Sequence, residues 1–133
     1  MNRIVDLTAA LEWIATQVGR SQWSQANSVI TGTLGERQLR ARCFPSGLTV
    51  ALTLDRAPQH AAEACLLLAA TPEACDDAIY LESGRLWLLR RYPVSLTEVE
   101  LDLLFKQQQA MASLLGARER AAPPPLPIAG RYA

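Results

Sequence analysis

Few residues of this 133-residue chain have the type and spacing that chemistry demands. The only histidine, His60, follows Pro58-Gln59 at the start of an Ala/Leu-rich stretch. General acid–base work needs a group held within hydrogen-bond reach, and no motif supplies His60 with one. Cys43, Cys65 and Cys75 are an odd set without metal-ligand spacing. Cys43 alternates with Leu39 and Ala41, and Cys65 lies among Ala and Leu, so both read as small buried apolar residues. Thiols used this way fit a reducing compartment, the cytoplasm. Asp76-Asp77 is a carboxylate pair, but no third cation ligand follows at regular spacing, and a solvated turn is the reading. Gly32 and Gly35 sit in a Thr-rich turn and lack the Lys-Ser/Thr of a phosphate loop. No catalytic residue, cofactor site or metal site is expected.

One polar constellation remains. Arg90-Arg91-Tyr92, with Arg40 and Arg42, would make a basic stripe on a sheet. Thirteen basic residues are balanced by thirteen acidic ones, so formal net charge is zero. That balance argues against nucleic acid, whose binders usually carry a basic excess. Half of the residues are apolar and 20% are charged, which excludes a disordered chain. Near-zero net charge promotes association. No apolar run approaches the ~20 residues a membrane span takes. Asp6 and Glu12 interrupt the first nineteen residues, so no signal-peptide core is expected there.

The elements that must position these residues follow from periodicity. Ile4, Leu7, Leu11, Ile14 and Val18 make one helical stripe, and Gly19 stops it, giving a helix from Arg3 to Val18. Ser21 to Asn27 is polar and reads as a connection. Ser28 to Thr33 is β-branched and short. Gln38 to Phe44 alternates, with Leu39, Ala41 and Cys43 on one face. Leu48 to Asp55 alternates as well, with Leu48, Val50, Leu52 and Leu54 facing in. A second helix is expected from Pro58 to Ala70. Ala78 to Glu82 and Arg85 to Arg91 flank Ser83-Gly84 as a hairpin. The run Leu86-Trp87-Leu88-Leu89 is apolar on both faces, so both must be covered, one of them by a second subunit. Ser95 and Glu98 match a capping box for a helix from Leu96 to about Arg118. Its stripe is Leu101, Leu104, Gln108, Met111 and Leu115, widened by Leu103, Ala110 and Leu114. The class is α+β: an antiparallel twisted sheet of about five strands with three helices, ordered α-β-β-β-α-β-β-α. Residues 1–118 form one domain and 119–133, with Pro123-Pro124-Pro125 and Pro127, a flexible tail.

This order, with Ala78 to Leu89, Leu96 to Leu101 and the long helix to Leu115, resembles the class I type III secretion chaperones, the family that includes the intimin-receptor chaperone. The length and Pro-interrupted end look most like the co-chaperones of the secretion gatekeeper. The family is commonly acidic, and this neutral, Arg-rich chain departs from it. The resemblance implies a cytoplasmic virulence chaperone, with no enzymatic activity. It would hold the N-terminal segment of a secreted effector or gatekeeper in extended form for the secretion ATPase. It also implies a homodimer or a heterodimer with a related chaperone. By family position, Leu86, Trp87, Leu88, Leu89, Leu101, Leu104 and Met111 would form the dimer interface. Leu39, Ala41, Val50 and Leu52, with Arg40 and Arg42, would meet the client. The competing expectation is a small α+β adaptor that binds a folded partner.

Overall fold

The computed structural model describes residues 4–72 and 76–116. The expected Pro-rich tail and Cys75 lie outside the described residues. The architecture is α+β. Six strands form one antiparallel sheet: β2 (Gly19–Ser24), β3 (Val29–Leu34), β4 (Arg37–Phe44), β5 (Gly47–Thr53), β6 (Asp77–Glu82) and β7 (Arg85–Tyr92). Their order across the sheet is β2-β3-β4-β5-β7-β6. The last hairpin thus docks through its second arm against β5 and leaves β6 on the edge. Two short strands, β1 (Ile4–Val5) and β8 (Leu96–Thr97), pair separately. The helices are α1 (Leu7–Gln17), α2 (Ala61–Ala69, after a 3-10 turn at Pro58–His60) and α3 (Glu98–Gly116).

All three helices lie on one face. Alternation sends Leu39 and Ala41 of β4, Leu48, Val50 and Leu52 of β5, and Leu86, Leu88 and Tyr92 of β7 into one core. Leu11 and Ile14 of α1 and Leu101, Phe105, Ala112 and Leu115 of α3 close it from above. Trp13 of α1 meets Phe105 of α3 edge-on, with centroids 5.5 Å apart. In the middle of this apolar layer Gln108 is fully buried. It accepts from Tyr92 Oη at 2.8 Å and donates to the Val50 carbonyl at 2.7 Å. The amide thereby ties α3 to β5 and β7, and burial drives the Tyr92 phenol pKa strongly upward.

Several boundaries differ from expectation. The first helix begins at Leu7, because the Asp6 carboxylate caps it by accepting from Ala9 N at 2.8 Å. Ile4, freed from the stripe, pairs with Thr97 instead. That pairing also moves the start of α3: Thr97 and Glu100, not Ser95 and Glu98, form the capping box. Glu100 Oε1 accepts from Thr97 N at 2.9 Å, and Thr97 Oγ1 accepts from Glu100 N at 3.1 Å. Leu103 and Leu114 face away from the core, so the α3 stripe is narrower than its composition implied. Cys65 is exposed on α2 and Cys43 is half-buried, correcting the reading of both as buried. Partial burial raises the Cys43 thiol pKa.

The strand β2 was not expected. It is exposed along its whole length and alternates with nothing, so only its backbone pairing with β3 holds it. Gln25, Ala26 and Asn27 adopt positive φ in turn to reverse the chain into β3. Gly47 opens β5 at φ +149°, and a Cβ there would stand 2.6 Å from the Tyr92 carbonyl oxygen. Only glycine lets β5 and the end of β7 approach this closely.

Candidate functional site

The second face of the sheet carries no helix among the described residues. It bears a depression of about 760 Å³ lined only by strand and turn residues, among them Arg40, Arg42, Thr49, Tyr80, Leu89 and Arg91. Register explains the assembly. Arg42 of β4 pairs with Thr49 of β5, and Thr49 with Arg91 of β7, so the three form one row across the strands. The next row is Arg40, Ala51, Leu89 and Ala78. The row after it brings Thr53, Trp87 and Tyr80 together.

Trp87 shows how the apolar run of β7 is covered within one chain. Leu86 and Leu88 point into the helix-covered core. Trp87 points the other way and yet is 5% exposed. Tyr80 stacks beside it, centroids 6.1 Å apart and planes at 10°. The Arg40 guanidinium lies over its ring at 4.7 Å. Arg40 then continues to Glu82 on the sheet edge and donates to both carboxylate oxygens, at 3.1 and 3.0 Å. This bidentate pair holds the Glu82 carboxyl below the usual carboxylate range. Leu86, Trp87 and Leu88 are thus covered within one chain, while Leu89 stays half-buried on the second face.

The expected basic stripe splits in two. Arg90 and Arg91 are neighbours in a strand and so face opposite ways. Arg91 is exposed on the bare face, and Arg90 is turned inward at 5% exposure. There its fork grips Asp77, Nε to Oδ1 at 2.6 Å and Nη2 to Oδ2 at 2.8 Å. Asp77 is therefore a structural partner with a buried carboxylate, not a solvated turn residue. Arg42 is turned over Phe44 at 5.8 Å and donates to the Gln25 side chain at 3.4 Å.

The other residues expected at contacts are distributed as follows. Leu39, Ala41, Val50 and Leu52 are core residues at 0–1% exposure, facing the helices. Arg40 and Arg42 line the depression. Leu86, Trp87, Leu88, Leu101 and Met111 are buried within the chain, and Leu89 and Leu104 are half-buried. Leu66, Leu81, Leu103 and Leu114 are exposed. His60 is exposed, with Nδ1 3.7 Å from Glu63 Oε1. Among the described residues, no group of three His, Cys, Asp or Glu side chains gathers as a metal site. No described helix is long and apolar enough to cross a membrane.

Sequence reasoning missed the Arg40–Trp87–Glu82 clamp and the role of Arg91. The clamp spans 42 residues of chain between Arg40 and Glu82, and only the β5–β7 pairing brings them together. Alternation did place Arg40 and Arg42 on the polar face of their strand. No protein-family model matches the sequence, and no curated protein matches it.

Proposed function

We propose that the chain is a type III secretion chaperone. Its role is to hold the N-terminal segment of a secreted effector or gatekeeper in extended form, soluble and ready for secretion. The observation that carries this reading is the bare sheet face. A six-stranded sheet with helices on one side leaves a shallow, half-apolar floor on the other, wide enough for an extended chain. The element order shared with the secretion chaperones supports the same reading. Its mechanism is differential binding: the face contacts the extended client and not its folded or aggregated forms. In this reading the protein works in the cytoplasm, as a homodimer or beside a related chaperone, and passes the client to the secretion ATPase. Because Leu86, Leu88 and Leu101 are already covered, a second copy would meet the half-buried Leu89 and Leu104 or the exposed Leu66, Leu103 and Leu114.

The test is co-expression with the secreted protein encoded beside it, followed by sedimentation and limited proteolysis of the complex. The proposal expects a dimeric species whose client keeps a protease-sensitive N-terminal segment. A monomer that binds a folded domain, with the protease pattern unchanged, would establish the adaptor reading instead.

A further inference from the structure

We infer that the segment held on the bare face is acidic, with carboxylates about three residues apart that bridge Arg42 and Arg91. This inference rests on the reading that the face holds an extended chain. Charge complementarity carries it. Arg40 pairs with Glu82, Arg90 with Asp77 and Arg56 with Glu63, whereas Arg20, Arg37 and Arg85, which lie outside this depression, have no carboxylate partner among the described residues. Arg42 and Arg91 have none within ion-pair distance among the described residues. Both line the depression, on one row, with the small Thr49 between them. In a chain that is neutral overall, the depression thus carries two arginines without a carboxylate partner among the described residues.

The spacing sets the motif. Two strand intervals separate the Arg42 and Arg91 backbones, about 10 Å. An extended segment of polyproline-II form presents residues i and i+3 on one side about 9 Å apart. Carboxylates at those positions reach one guanidinium each. One of the two residues between them lies toward Ala51 and Leu89, which form the apolar floor of the next row. Arg42 is already oriented over Phe44, and its remaining N–H donors are free to take a carboxylate. On the far side Glu82 neutralises Arg40, so within the depression the unpaired charge is confined to the Arg42–Arg91 row.

The experiment is selection of a displayed random dodecapeptide library on the immobilised full chain, repeated on R42Q/R91Q and on R85Q, an exposed arginine outside this depression. The expected pool from the unmodified chain is enriched in Asp and Glu at i and i+3 around an apolar residue. R85Q keeps that enrichment and R42Q/R91Q loses it. In a selected peptide, each Glu→Gln exchange should weaken binding by up to roughly fivefold at low salt. An apolar pool without acidic enrichment would overturn this inference and leave the extended-chain reading standing. Acidic enrichment that persists in R42Q/R91Q would overturn it too. Failure to recover any pool would overturn both.

Discussion

The Arg40 guanidinium lies 4.7 Å over the Trp87 ring while both of its terminal nitrogens donate to Glu82. One side chain thus closes an aromatic surface that alternation had turned away from the core, and links the middle of the sheet to its edge. Arg40→Ala should uncover Trp87 and weaken the fold by about 1 kcal/mol, the scale of a partly exposed cation–π contact. Acrylamide quenching of Trp87, in a chain with Trp13 and Trp23 replaced by Phe, should rise sharply. Unchanged quenching would mean that Tyr80 alone covers the ring.

The same clamp sets an acid response. Glu82 has a lowered pKa in the folded chain, so its contribution is complete above the ordinary carboxylate range. It is lost as pH falls through the lower folded value. Trp87 fluorescence should therefore change with a midpoint below that of an unpaired glutamate. Glu82→Gln should abolish the step. A midpoint in the ordinary range would contradict the pairing.

Gln108 is the polar centre of the core. Gln108→Leu removes the acceptor for Tyr92 Oη and should cost about 1–3 kcal/mol, the scale of a buried group left unsatisfied. Tyr92→Phe removes the donor instead. The double variant should lose less than the sum of the two single losses, because the stranded partner disappears. Urea denaturation of all three variants measures this coupling, and strict additivity would show the pair to be independent.

Arg56 closes the end of α3. Its Nε donates to the Leu115 carbonyl at 2.6 Å, and its Nη1 pairs with Glu63 at 2.8 Å. Arg56→Ala leaves that carbonyl unmet and a void behind it, at roughly 2–4 kcal/mol. Hydrogen exchange should show the last turn of α3 opening first. Gly47→Ala should also destabilise, by about 1–3 kcal/mol for the positive φ alone, with the clash against the Tyr92 carbonyl added. Arg56 lies outside the depression on the bare face, so the loss of stability in Arg56→Ala is separable from loss of binding, whereas Gly47 borders that depression.

What was legible in the sequence was whatever a local period controls. Leu39 and Ala41, then Leu48, Val50 and Leu52, announced two half-buried strands, and the α+β class with three helices followed. The strand β2 was illegible because an exposed edge strand has no buried face to write into its residues. The start of α3 was misplaced because two capping boxes overlap, and the choice between them is made by Ile4 pairing with Thr97 at a distance. The candidate site was half legible. Arg40 and Arg42 lay on the correct face by alternation, but only the non-local β5–β7 pairing puts Arg91 in line with Arg42 and sends Arg90 to Asp77. The doubly apolar Leu86 to Leu89 suggested a second subunit, whereas the clamp and the helices cover Leu86, Trp87 and Leu88 within one chain.

The central claim is that the bare sheet face, and not the helix-covered side, holds an extended chain. Its most direct test places a benzophenone photocrosslinker at Thr49, between the two arginines, and in a second preparation at Glu12, exposed on α1. Each preparation is irradiated with the random dodecapeptide pool and read by mass spectrometry. The account predicts peptide adducts at Thr49 and none above background at Glu12. Adducts at Glu12 with none at Thr49 would contradict it.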